Sequence, residues 1–151
     1  VAILDDHPTS ISARLDALVR DVLIDQGYPN RTEVTVHTVG VDVITERNFE
    51  AFGKQGPTDV VSFPVEDLTP GAVPMVDADG PPVLLGDVFI APEIVTQRAL
   101  SNGFEPDAEL ALMTVHGVLH LMGYDHLDDE AADAMESIET RILERHGFGR
   151  R

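Results

Sequence analysis

The sequence predicts an α/β (α+β) fold, a four-stranded mixed sheet with about five helices, in a single domain over residues 1–151. Short β-branched runs with period-two alternation, clearest at Val34, Val36 and Thr38, alternate with segments whose apolar residues recur every three or four positions. Glycine and proline punctuate the joins between these segments. A length of 151 residues with 43% apolar side chains suits one core and one domain.

Each element follows from its residues. Val1 to Leu4 reads as a strand running into Asp5-Asp6-His7-Pro8. Ser10 is placed to cap a helix carrying Ile11, Leu15, Leu18, Val19, Val22 and Leu23, which Gly27 ends. Glu33 to Val41 is a strand, and Asp42 opens a helix to about Phe52 that Gly53 and Gly56-Pro57 break. Asp59 to Phe63 is a third strand, closed by Pro64. Glu66 to Pro82, rich in Pro, Gly and Asp, is expected to be a loop or flap. Val83 to Ala91 is the fourth strand, with Pro92 where a helix begins and Asn102-Gly103 where it ends. Asp107 opens the next helix, to Met122, and Asp128 caps the last, with Ala132, Met135, Ile138, Ile142 and Leu143 on one side.

Composition narrows the chemistry. There is no cysteine, so a metal must be held by imidazole and carboxylate. No apolar run is long enough to span a membrane, and the first residues do not resemble a signal peptide, so a cytoplasmic protein without a membrane partner is expected. The net charge of -17, with Lys54 the only lysine, argues against a broad electrostatic nucleic-acid binder. An acidic exterior also keeps a protein soluble, and a cleft less negative than its surroundings reconciles the two.

The strongest signal is His116-Gly117-Val118-Leu119-His120-Leu121-Met122-Gly123-Tyr124-Asp125-His126. Two histidines four apart share one helix face, and Gly123 lets the chain turn and bring His126 back. Three imidazoles leave a fourth position open, the pattern of a catalytic zinc site. Single buried histidines usually do no more than hydrogen-bond in a core, and His7, His37 and His146 keep that reading. His37 is expected to face solvent or the flap, and His146 to sit against a helix dipole. Zinc, one ion per chain, is the expected cofactor, with nickel or another late transition metal as the alternative. The spacing is that of the metzincin proteases, but the general base that follows their first histidine is replaced here by Gly117.

With two further blocks, Thr58-Asp59-Val60-Val61-Ser62-Phe63-Pro64 and Leu85-Gly86-Asp87-Val88-Phe89-Ile90, and a tail holding Glu130, Met135, Glu139, Ile142 and Leu143, the chain resembles the YbeY endoribonucleases over nearly its whole length. The resemblance implies a metal-dependent, single-strand-specific RNase that trims the 3' end of small-subunit rRNA and serves ribosome quality control. It implies single-stranded RNA, the small ribosomal subunit and a ribosome-assembly GTPase as partners. It makes His116, His120 and His126 the metal ligands and puts His116, Ser62 and Asp87 in the cleft, Asp87 also toward ribosomal partners. Many members carry an arginine six residues before the Thr of the second block; Phe52 stands there in this chain, and Lys54 is the candidate replacement as a phosphate contact. Structural roles compete at each position. Asp59 and Ser62 suit a turn and a polar strand face, an exposed lysine is commonly just solvated, and Asp87 needs a partner, a ligand histidine or an arginine. Asp125 is expected to hold its loop. The chemistry expected is phosphodiester hydrolysis, with water or the RNA 2'-hydroxyl as nucleophile. A ribosome-assembly factor with a structural metal is the alternative, and a metallopeptidase comes third.

Overall fold

The structure is a computed structural model describing residues 1–74 and 79–149; residues 75–78, inside the expected flap, and 150–151 lie outside the described residues. The chain forms β1 (Ala2–Asp5), α1 (Leu15–Asp25), β2 (Thr32–Thr38), α2 (Val41–Phe52), β3 (Val60–Pro64), β4 (Val83–Ile90), α3 (Pro92–Ser101), α4 (Pro106–Leu121) and α5 (Asp129–Arg145), with a 3-10 turn at Ser12–Arg14 before α1. The strand order is β1-β2-β4-β3, with β1, β2 and β4 parallel and β3 antiparallel to β4. This is the mixed four-stranded sheet and five-helix arrangement the sequence predicts. The described parts of 66–82 contain no strand or helix, and no helix among the described residues is long and apolar enough to cross a membrane.

Several helix starts differ from the sequence reading, for local reasons. Ser10 bonds the Asp107 carboxylate instead of capping α1, which begins after the 3-10 turn. Gly40, not Asp42, is the N-cap of α2. Glu105 caps α4 by accepting from the Ala108 amide at 2.8 Å, because Pro106 takes the first helical position and Asp107 falls into the first turn. Asp128 does cap α5, accepting from Ala131 at 2.8 Å.

Strand alternation gives the sheet two different faces. Val34, Val36, Val88 and Ile90 pack with α1, α4 and α5 in the main core. Phe89, Val61 and Phe63 point the other way, into a small cluster with Ile44 of α2. Helix α4 lies inside the larger layer, with Ala111, Val115, Val118, Leu119 and Leu121 fully buried, which explains its nearly all-round apolar sequence.

Charge ties α5 to α1. Arg141 and Arg145 reach Asp25 at 2.7 and 3.0 Å, and Arg145 and His146 reach Asp21 at 3.0 and 2.9 Å. His146 therefore has a carboxylate partner beyond any dipole effect. The Arg141 guanidinium lowers the Asp25 carboxyl to about 2, with Arg145 and Gln26 assisting and burial opposing. A depressed folded value means that ionised Asp25 stabilises the fold above about pH 4 and loses that effect as pH falls through about 2. Asp25→Asn is expected to cost about 2 kcal/mol at neutral pH, somewhat less where solvent screens the half-exposed arginines. Urea melts should show this gap closing between about pH 4 and pH 2.

Candidate metal centre

His116 and His120 lie one turn apart on α4, and the chain then reverses at Gly123 so that His126 returns toward them. One ligand atom from each histidine can be chosen so that all three lie within 4.8 Å of one another. The Nε2 atoms of His116 and His120 are 2.9 Å apart, and the His126 ring lies 5.6 and 5.3 Å from their rings. The turn requires glycine for two reasons. Gly123 has φ of 96°, and a Cβ there would stand 2.0 Å from the Leu68 carbonyl oxygen, where the 66–74 loop crosses the ligand turn.

The two helical rings are held from behind. His116 Nδ1 is 2.6 Å from the Glu139 carboxylate, which is buried on α5. His120 Nδ1 is 2.8 Å from the Tyr124 carbonyl, and the Tyr124 hydroxyl donates to Gln26 at the end of α1. With acceptors at both Nδ1 atoms, the ring protons belong there and the Nε2 lone pairs converge. Two lone pairs directed into the same small space repel unless a cation lies between them. The donor set therefore fits a divalent transition metal. Burial, then the charge of His116, lowers the His120 pKa and favours the neutral imidazole that ligation needs. Among the described residues the cluster contains three imidazoles and no carboxylate, so Glu139 acts on a ligand instead of as one.

Glu139 was visible in the sequence only as part of the family tail. The signal for its role was an acid inside the apolar stripe of Met135, Ile138, Ile142 and Leu143, which are all buried. Gln26 and the Tyr124 carbonyl carried no such signal. Glu139→Gln keeps the shape but removes the negative charge behind His116, and metal affinity is expected to fall about 10–100-fold in a chelator competition. An unchanged affinity would show that the carboxylate serves packing alone.

The other candidate residues are placed differently. Ser62 Oγ donates to the Gly117 carbonyl at 2.9 Å, one residue from His116, and so joins β3 to the metal helix. Asp87 shares the face of β4 that carries Phe89, the sheet face turned away from α4. Its partner is His37, at 3.0 Å, which stacks on Phe89 with centroids 4.1 Å apart. This answers both expectations for the pair: among the described residues Asp87 meets neither a ligand histidine nor an arginine, and His37 is held by a carboxylate and a ring. Lys54 lies 5.7 Å from the Phe52 ring and lines a cavity of about 430 Å³ with Glu46, Phe49 and Glu50, away from the triad's own neighbours. Arg47 is engaged by Glu50 at 2.6 Å. Asp125 accepts from the Leu127 amide at 3.2 Å and holds the His126 loop.

The chain is similar to known proteins over most of its length. The family model described as Endoribonuclease YbeY matches residues 4–147. The chain is 40% identical over 111 residues to the protein named Endoribonuclease YbeY from Corynebacterium glutamicum, covering 74% of this chain and 57% of that one. The chain thus spans little more than half the length of that relative. Same-named proteins from Salinispora tropica and Bacillus licheniformis are 38% and 37% identical, covering 84% and 95% of this chain and 82% and 90% of theirs. A Thermotoga maritima protein solved in solution matches the fold with a TM-score of 0.61 at 22% identity, covering 97% of this chain and 90% of its own.

Proposed function

The chain belongs to the endoribonuclease YbeY family, and from that premise and the triad we propose that it cleaves single-stranded RNA by metal-dependent phosphodiester hydrolysis. The observation carrying this reading is the set of three imidazoles converging with no carboxylate among them, in the described residues, to close the fourth position. A zinc ion, or nickel in its place, would be held by His116, His120 and His126. Such an ion, when bound, supplies Lewis-acid charge for the phosphoryl oxygens and makes water more acidic.

The chain's own residues orient and enclose. Glu139 and the Tyr124 carbonyl fix the ring planes of His116 and His120, so the ligand nitrogens do not have to reorganise. Ser62 ties the edge of the sheet to the helix carrying the triad. A cavity of about 290 Å³ beside His116 and His126, with Leu112, Met113, Ala132 and Met135 as its apolar lining and Glu136 and Glu139 as its acidic one, offers room for an unpaired base. A base in a duplex would first have to be unpaired and unstacked to enter, at a cost that a single strand does not carry, which supports preference for single strands. Lys54 is the proposed side-chain contact to more distant phosphates. Asp87, on the far face of the sheet, is better placed to meet a protein partner than the scissile bond.

The proposed setting is maturation of the small-subunit rRNA 3' end and ribosome quality control in the cytoplasm, with the small subunit and an assembly GTPase as partners. The test is cleavage of labelled single-stranded and double-stranded RNA, with and without a chelator. Cleavage of the single strand alone, abolished by chelation and restored by zinc, is expected. No cleavage by fully metal-loaded protein would turn the assignment toward an assembly factor with a structural metal.

A further inference from the structure

Strand β3 is the edge of the sheet beside β4, and its register decides where each backbone group points. The Val65 amide donates to the Leu85 carbonyl at 3.1 Å, and the Ala91 amide to the Asp59 carbonyl at 2.9 Å. With Val61 opposite Phe89 and Phe63 opposite Asp87, the odd-numbered residues of β3 exchange their hydrogen bonds with β4. Val60, Ser62 and Pro64 therefore direct their backbone groups to the free edge. The Val60 amide is already taken by its neighbour, the Asp59 carboxylate, at 2.9 Å. Pro64 has no amide proton. One outward donor remains, the Ser62 amide, and among the described residues nothing accepts from it.

A strand edge with a single available donor is poorly suited to pairing with an incoming peptide, which needs donors and acceptors in alternation. It is well suited to one anionic oxygen. The donor also lies beside the metal helix. The Ser62 hydroxyl is bonded to the Gly117 carbonyl, and a Cβ at Gly117 would stand 3.2 Å from the Val60 side chain. A chain with one lysine and a net charge of -17 has few cations with which to hold a polyanion near its site. A backbone amide supplies positive potential without adding a mobile side chain.

We infer that the Ser62 backbone amide donates to a non-bridging oxygen of the RNA phosphodiester held at the triad. Its hydroxyl is the positioning group, tying β3 to α4 so that the amide is presented at a fixed place. This rests on the ribonuclease reading above and adds to it a substrate contact made by the main chain.

Amide spectra of the zinc-loaded, ¹⁵N-labelled protein test it, with a 2'-O-methylated single-stranded oligonucleotide as the probe. The Ser62 amide proton is expected to move downfield and to exchange with solvent roughly tenfold more slowly, while the already bonded Val60 amide stays in place. Ser62→Ala and Ser62→Pro extend the test to activity. Both remove the hydroxyl, and only the second removes the donor, at an outward-facing edge position that tolerates proline. At equal metal content, kcat/KM of Ser62→Pro is expected to lie about 100-fold or more below that of Ser62→Ala. Equal activity of the two folded variants overturns the inference. So do spectra in which the oligonucleotide shifts the amides around His126 and leaves Ser62 unmoved, although the ribonuclease reading then stands. Absence of any shift, together with absence of cleavage, removes both. If Ser62→Pro does not fold, the wild-type spectra decide.

Discussion

Replacing His120 by Ala is expected to take the protein from about one transition-metal ion per chain to nearly none, and to lower RNA cleavage on the order of 10³-fold or more. His120 is the middle ligand of the triad, within 2.9 Å of His116 Nε2, and its ring is fixed by the Tyr124 carbonyl at 2.8 Å. Two imidazoles left on a helix and a loop bind a divalent ion far more weakly than three that converge. A loss of 10³-fold corresponds to about 4 kcal/mol of transition-state stabilisation, a plausible magnitude for removing the charge that faces the phosphoryl oxygens. The fold should survive, because the substitution also relieves the repulsion between the two Nε2 lone pairs. Melting curves with and without chelator separate the effects. Wild-type Tm should fall when metal is stripped, since an ion that binds the native state alone stabilises it by mass action. The variant should show no chelator-dependent shift. Full metal content in His120→Ala, measured by elemental analysis, would refute the three-histidine site.

Gly117→Glu, which restores the side chain a zinc peptidase carries after its first histidine, is expected to destabilise the protein by about 3 kcal/mol or more and to confer no proteolysis. A Cβ at this position would stand 2.5 Å from Val88 Cγ1 and 3.2 Å from Val60 Cγ2, so α4 rests on β3 and β4 at this residue. The helix-propensity gain from losing a glycine is about 1 kcal/mol and does not offset the clash together with a buried carboxylate. The Tm should drop by roughly 10 °C. The chain thus differs from a peptidase by more than a missing base: the side chain would leave the helix toward the sheet. A Gly117→Glu protein with wild-type Tm, or one that digests unfolded casein in a metal-dependent way, would show that the contact yields and that a base can reach the ligand nitrogens.

The second experiment shows how differently sequence and structure describe one residue. In the sequence, Gly117 is a departure from a protease motif. In the structure it is a residue at which the metal helix rests on β3 and β4, too close to Val88 for a Cβ to fit without a shift. The same holds at Asp87. A carboxylate inside an apolar strand announces that it needs a partner, but the register across β2 and β4, which supplies His37 fifty positions away, is not written in either strand alone.

The sequence by itself determined the features that depend on neighbours along the chain. Period-two and helical spacing specified four strands and five helices, and their mixed sheet followed from the order of the segments. Two histidines four apart and a glycine before the third specified the three-histidine cluster that could hold a metal, because helix geometry alone puts the first two on one face. Tertiary structure alone decided what stands behind and around those ligands. Glu139 reaches His116 from 23 positions away, Gln26 reaches Tyr124 from 98, and Ser62 reaches the Gly117 carbonyl from 55. Such pairings depend on how separately formed elements dock, and docking is set by the summed burial of many apolar side chains, none of which carries the address of its partner. Local periodicity therefore reveals a ligand set, and packing decides which atoms hold it in place.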